Sequence, residues 1–287
     1  FEYYFLLLLG FNKFNCFKYS IKKFGKLNIF YVKIFQSLST NVNLLTEQQI
    51  NYLTKYTDNV PYYDDDIDIT FLETMQKISN KNNISFKVDN INKETNLPEP
   101  IKSGMIALIY SGLLDNKKII IKVMRKNIEN KLVLALEQIE FFINIIKFFP
   151  FIKKLNLDLV FRENKSNLLL QTNFINEKKN MQLMSKNYKN IDYIVVPTPY
   201  DEYTETNNNI IVMNYLDGNK ITHIHDDDKD EYAILVAKFG IKCLLFDRFV
   251  HSDLHAGNIL FMKDVNNKLQ LGILDYGVME SLNKEEQ

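Results

Sequence analysis

Cysteine is nearly missing from these 287 residues: Cys16 and Cys243, far apart in sequence, are the whole complement. Two distant thiols give no disulfide framework, which excludes a stapled secreted scaffold and fits a reducing, intracellular compartment. Net charge is missing too, since 35 Lys and Arg balance 35 Asp and Glu. The chain therefore lacks the basic footprint of a nucleic-acid partner, and no nucleic acid is expected. No apolar run is long enough for a membrane span. Phe1 to Phe11 is broken by Glu2 and falls short of the roughly twenty residues such a helix needs. It has no small-residue cleavage site, so it reads as a packed or membrane-proximal helix rather than a signal peptide, with the tail of a longer span as the alternative. The 46% hydrophobic content is that of a globular chain, with material for one large domain or two smaller ones.

The most informative stretch is HSDLHAGNILFMKDVNNKLQLGILDYG, His251 to Gly277. Asp253 and Asn258 share a short polar loop, Ile259 to Met262 runs apolar, and a polar turn at Asn266 and Asn267 leads into LQLGILD. That pattern predicts a hairpin with Asp275 at its far end. Loop and hairpin can bring an Asp, an Asn and a second Asp to one spot, as Mg²⁺ bridged to phosphates requires. A competing reading makes His251, Asp253 and His255 a small metal site, but it leaves Asn258 and Asp275 unexplained. His223 and His225 beside Asp226 to Asp228 also invite a metal reading. A capped helix start is preferred there, because Ala233, Val236, Ala237, Gly240, Ile241, Leu244 and Leu245 follow at helical spacing.

Asp, four residues, Asn, then Asp-aromatic-Gly is the spacing of protein-kinase motifs. HSDLHAGN resembles the ABC1 family of atypical kinases, also called AarF or UbiB, whose version is usually HADPHPGN; Ala256 stands where that family has Pro. IIIKV, ending the strand–turn–strand pattern around Asp115 and Asn116, is similar to the family's VAVKV. The resemblance implies that Lys122 holds the α and β phosphates, with Ile120 where an Ala roofs the adenine. Pro100 to Ala107 is similar to the family's Ala-rich loop, and it implies phosphate cradling by Gly104, whose backbone gains freedom. QTNFINEKKNMQLM resembles ELDFRREAENAERF and makes Glu177 the partner of Lys122, with Gln171 and Asn173 where the family has carboxylates. IIVMNYLDGNKI resembles VLVMEWIDGVKI and makes Met213 to Leu216, Tyr215 included, the hinge that contacts adenine.

Upstream, apolar residues recur at helical steps from Ile21 to Tyr56, as with Phe30, Ile34 and Leu38. Thr46 and Gln49 form a capping-box signature for a helix from Glu47 to Lys55. The Asp64 to Asp66 run reads as a cap and solubiliser before a helix near Ile69 to Ile78. YVKIFQSLSTNVNLLTEQQINYLTKYTDNVPYY is similar to the family's KxGQ extension, with Lys33 and Gln36 kept and Phe35 replacing Gly. The resemblance implies a regulatory segment lying across the active site. A polar linker follows, Asn80 to Asn96. Leu132 to Phe151 predicts a buried helix or helix pair with Glu137, Glu140 and Lys147 on its solvated side; its aromatic content makes a membrane-surface role the alternative.

The expectation is an α+β, protein-kinase-like bilobal fold. Its parts are a helical N-terminal extension over 1–97, a kinase-like N-lobe with a helical insertion over 98–212, and hinge plus truncated C-lobe over 213–287. The first residue is not Met and the chain stops ten residues past Gly277, so it reads as a fragment. As an enzyme it would bind ATP and Mg²⁺. Asn258 and Asp275 would hold the metal, Asp253 would orient or deprotonate the nucleophile, and hydrolysis or phosphoryl transfer would follow. Isoprenoid-quinone or other membrane lipid metabolism would be its setting, with a lipid or membrane surface as partner. The alternative is a pseudokinase that uses nucleotide to shape a binding surface. A conventional protein kinase is disfavoured, for want of GxGxxG, of Arg before Asp253 and of an APE segment.

Overall fold

The computed structural model describes residues 10, 12–42, 45–54, 56, 60–148 and 156–282. Apart from Gly10, the expected helix at Phe1 to Phe11 lies outside them. In chain order the elements begin with helices α1 (Lys13–Leu27), α2 (Ile29–Val42), α3 (Glu47–Leu53) and α4 (Thr70–Lys81). Strands β1 (Phe86–Val88), β2 (Lys102–Ser103), β3 (Ala107–Leu114) and β4 (Lys117–Met124) follow. Then come α5 (Ile128–Ile146), α6 (Leu157–Leu170), α7 (Phe174–Asn187), β5 (Ile194–Val195), α8 (Asp201–Thr206) and β6 (Ile210–Asn214). The last are α9 (Lys229–Ile241), β7 (Phe249–His251), β8 (Ile259–Lys263), β9 (Leu269–Ile273) and β10 (Met279–Ser281). The chain forms two compact units, each discontinuous in sequence: 1–68 with 102–108 and 124–169, and 69–101 with 109–123 and 170–287.

The first unit is mainly helical. Asn12 caps α1 by accepting from the Phe14 amide at 2.8 Å, which satisfies one of the donors a helix start leaves over. In α2, Phe30, Val32 and Ile34 are all buried; the side chain of Leu38 lies outside the described residues. The capping box of α3 is present, with the Thr46 amide donating to Gln49 Oε1 at 2.9 Å and the Gln49 amide to Thr46 Oγ1 at 3.4 Å. That helix ends at Leu53, and Lys55 is outside the described residues. The expected buried helix after Leu132 is α5, buried on one side only. Leu132, Ala135, Leu136 and Ile143 are covered while Leu134, Phe141, Phe142 and Ile145 are exposed, because apolar residues occupy most of its circumference. Asp66 is not a solubilising turn residue: it is 5% exposed and ion-paired, as described below.

The second unit holds most of the strands. Strands order β1–β3–β4–β6, with Ile119 to Val123 of β4 antiparallel to Ile210–Asn214 of β6. Asp115 and Asn116 join β3 to β4 with φ of 49° and 63°, the left-handed pair of a type I′ turn. The expected polar linker over 80–96 contains β1 and the last turn of α4. A second sheet, β5–β9–β8, carries the predicted hairpin, and β10 pairs with β7. Only β5 with β9 is parallel among the registers described, so separate helices and mostly antiparallel sheets give the expected α+β class. Among the described residues, six of those outside glycine that take positive φ are asparagines: Asn83, Asn96, Asn116, Asn127, Asn156 and Asn267.

Helix α9 reverses the face expected of it. Tyr232, Leu235 and Phe239, with Cys243 beyond its end, are buried, whereas Ile241, Leu244 and Leu245 are exposed. Apolar residues surround this helix, so spacing alone does not choose a side. The aromatics choose it, Tyr232 meeting Phe261 edge-on at 4.9 Å and Phe239 meeting Tyr188 at 5.4 Å. Nor does a side chain cap its start: Asp226 pairs with Lys229 and Asp228 with Lys263 instead. Phe239→Ala is therefore expected to cost about 3–5 kcal/mol in urea unfolding, and Leu244→Ala less than about 1 kcal/mol.

Candidate functional site

Lys122 lies in β4 and Glu177 one turn into α7, and the two meet at 2.5 Å between Nζ and Oε1. Glu177 is 1% exposed. Burial pushes its carboxyl up to about 7, against the pull of Lys122 and with help from Asp275. For Lys122, burial favours the neutral amine, but Asp275 and Glu177 outweigh it and hold the ammonium above its ordinary range. The fold supplies this pair deliberately on both sides. Asn173 caps α7 by accepting from the Asn176 amide at 2.9 Å, and the Ile run keeps Lys122 in register opposite Ile211.

Asp275 follows β9. Its Oδ2 is 3.5 Å from Lys122 Nζ, and 42% of its side chain remains open to a ligand. Oδ1 accepts from the Gly277 amide at 2.9 Å. Burial raises this carboxyl, yet Lys122, the Gly277 amide and His251 together hold it below its usual value. Asn180 on α7 donates to the Tyr276 carbonyl at 2.9 Å, and the Tyr276 hydroxyl donates to the Ile273 carbonyl at 3.0 Å. The segment after β9 is thus anchored from both sides.

The loop between β7 and β8 carries Asp253 and Asn258. Ile259 pairs with Ile273, and the Leu274 amide donates to the Asn258 carbonyl at 3.0 Å, so Asn258 and Asp275 lie at one end of the hairpin. Asn258 Nδ2 donates to the Asp253 carbonyl at 3.1 Å, which commits the amide nitrogen and not the carboxamide oxygen to that bond. His251 Nδ1 accepts from the Asp253 amide at 3.3 Å and His255 Nδ1 from the Gly257 amide at 3.1 Å. Burial lowers the proton affinity of His251, opposed by Asp275, so this ring braces the loop in its neutral form. Both histidine metal readings fail. Among the described residues no group of three or more His, Cys, Asp or Glu side chains could hold a metal ion, and His223 and His225 stand exposed. An Asp and an Asn with oxygen donors do suit Mg²⁺, which takes few protein ligands when phosphates complete its shell.

At the end of β6, Met213 pairs with Ile120 of β4, and Leu216 is buried. The Asn214 amide donates to Thr198 at 3.2 Å and the Tyr215 amide to Lys118 at 3.2 Å. Among the described residues no acceptor takes the Leu216 amide. Leu216 packs on the β8–β9 hairpin, where a methyl on Gly272 would come within 3.2 Å of its side chain and 2.8 Å of Met262 Sδ.

Gly104 and the KxGQ-like residues belong to the other unit. The expected amide cradle at Gly104 is not there, because its amide donates to Ala107 at 2.9 Å and its carbonyl accepts from Arg125 at 3.0 and 2.7 Å. It has no positive φ either, so backbone freedom is not what it supplies. Lys33 and Gln36 sit half-buried one turn apart on α2, and Phe35 tilts against Phe17 with 6.4 Å between ring centres. In that unit Arg125 is heavily bonded among the described residues yet goes unnoticed in the sequence, and its partner Asp66 reads there only as a cap and solubiliser. The available signal was a lone Arg closing an apolar strand.

The family model of the ABC1 atypical kinase-like domain matches residues 64–287. Among curated proteins, AarF domain-containing kinase 1 of Drosophila melanogaster is 26% identical over 191 residues, 64% of this chain and 36% of that protein. The probable protein kinase UbiB of a Shewanella strain is 26% identical over 263 residues, 88% of this chain and 46% of its own length. This chain spans less than half of each. Of solved structures, the Rv3197–erythromycin complex from Mycobacterium tuberculosis aligns at TM-score 0.49 and 16% identity, over 64% of this chain and 46% of that one. The ADP/Mg²⁺-phosphoaspartate complex of Rio2 kinase from Chaetomium thermophilum aligns at 0.41 and 16%, over 72% and 52%.

Proposed function

Because the chain belongs to the ABC1 atypical kinase-like family, we propose that it binds Mg-ATP in its second unit and either hydrolyses it or transfers its γ-phosphoryl group. The observation that carries this reading is the buried Lys122–Glu177 pair with Asp275 beside it. A buried ammonium held charged by two carboxylates is poised to trade one of them for phosphate oxygens. Glu177 keeps Lys122 extended, and Asp275 with Asn258 would hold Mg²⁺. That ion would supply neutralisation of charge on the phosphates. Asp253, its backbone fixed by His251 and Asn258, orients the attacking hydroxyl or water and accepts its proton. The Leu216 amide is the hinge donor offered to adenine.

The setting we propose is membrane lipid metabolism of the isoprenoid-quinone kind, as the family resemblance implies, with the lipid or a membrane surface as the further partner. No helix among the described residues is long and apolar enough to cross a membrane. The closed state of Gly104 favours a second reading, a pseudokinase in which nucleotide shapes a binding surface without turnover.

Ligand that binds only the folded chain must raise its melting temperature. Saturation to one hundred times Kd adds about 2.7 kcal/mol, which for this length moves the midpoint by about 5 °C or more. The rise is expected with Mg-ATP and is largely lost when EDTA removes the metal. A folded chain whose midpoint does not move with Mg-ATP rejects the nucleotide site. A shift without phosphate release selects the second reading.

A further inference from the structure

Arg125 is 3% exposed, and its guanidinium makes six hydrogen bonds to described residues of the first unit. Nε and Nη2 donate to the Gly104 carbonyl at 3.0 and 2.7 Å. Nη2 also donates to Ser103 Oγ at 2.7 Å and the Val60 carbonyl at 3.4 Å, and Nη1 to the Pro61 carbonyl at 3.1 Å and Asp66 Oδ2 at 3.0 Å. The Arg125 amide donates to the Ile106 carbonyl at 2.9 Å. One side chain thus fastens the chain just before β3 to the chain just after β4. These are the two ends of the hairpin that contains Lys122.

We infer that Arg125 is a positioning residue for Lys122, and that Asp66 connects it to the N-terminal helices. The inference rests on the nucleotide reading above. Arg125 follows Lys122 by three residues along extended backbone, with Val123 and Met124 buried between them. A strand stretched at about 3.3 Å per residue transmits a displacement at one end to the other. The guanidinium does not touch Lys122; it fixes where the strand ends. Asp66 then carries the connection outward. Its Oδ1 accepts from Lys131 at 2.8 Å and its carbonyl from the Lys126 amide at 2.9 Å. The Lys131 carbonyl accepts from Asn28 Nδ2 at 2.6 Å, and Asn28 is the joint between α1 and α2. A planar fork is required at the centre, because an ammonium has neither the geometry nor the donor number to serve these acceptors.

Dissociation constants for Mg-ATP in the wild type, Arg125→Lys, Lys122→Met and the double variant test it, together with amide exchange over residues 103–107 and 121–125. Arg125→Lys is expected to weaken Mg-ATP binding about tenfold in the wild-type background and less than about twofold beside Lys122→Met, since the effect runs through Lys122. Exchange over both segments should rise in Arg125→Lys and also in Asp66→Asn, which keeps the shape of its side chain should the first variant fold poorly. Equal losses in both backgrounds, no loss in either, or unchanged exchange overturns the assignment. Absence of Mg-ATP binding in the wild type overturns the nucleotide reading beneath it instead. In that event the exchange data still decide whether Arg125 clamps the Lys122 strand.

Discussion

Asp275→Asn is expected to reduce phosphate release from Mg-ATP at least about 100-fold, a loss of about 2.7 kcal/mol in transition-state stabilisation, while the chain stays folded. The carboxylate is the ionised, partly open group of the site, kept below its usual range by Lys122, the Gly277 amide and His251. An amide of the same shape keeps the turn after β9 but gives up the charge that a divalent ion needs. Lys122 and Glu177 lose a neighbour, not their contact. Phosphate release measured beside far-UV circular dichroism checks this. Wild-type turnover in a folded Asp275→Asn protein would remove Asp275 from the metal site.

Glu177 gives the second large effect, one of pH. Its carboxyl moves from 4.5 to about 7 on folding. Between those values the folded chain holds a proton that the unfolded chain has released. Stability from this group is therefore complete below pH 4.5 and is lost as pH rises to about 7, by about 3 kcal/mol. Asp275 acts in the opposite sense, but its lowered carboxyl confines that effect to pH below 3.8. The raised Lys122 acts only above 10.5. Buried His251 works against it, adding stability as pH rises toward 6.5, so in urea unfolding from pH 4.5 to 7 the wild type should lose stability relative to Glu177→Gln. Turnover should rise through pH 7 as the ion pair forms and fall about tenfold or more in Glu177→Gln. A wild-type profile that runs parallel to that of Glu177→Gln would mean that Glu177 is ionised throughout.

These groups were legible to different degrees. The β8–β9 hairpin announces itself through an apolar run, two asparagines and LQLGILD, because strand and turn chemistry are local. Lys122 ends an Ile run, but a strand lysine is ordinarily a surface one, and the resemblance of IIIKV to VAVKV with the motifs downstream is what singles it out. Glu177 has no local signal: a lone glutamate on a helix looks solvated, and only a resemblance over fourteen residues singled it out. Asp66 was misread and Arg125 passed over because their meaning lies in partners more than fifty residues apart. The face of α9 was misread for another reason. Its spacing permits several sides, and contacts with Tyr188 and Phe261 settle which is covered.

The asparagines at left-handed positions bear on how such a chain can change over generations. Asparagine is the ordinary residue that accepts positive φ most readily after glycine. Its codons begin with adenines where those of glycine begin with guanines, so drift of a gene toward adenine and thymine exchanges one for the other. Here six turns and element ends take asparagine in a chain with nine glycines. At such positions the backbone stays left-handed without glycine, so these turns place little demand on which of the two codons the gene carries there.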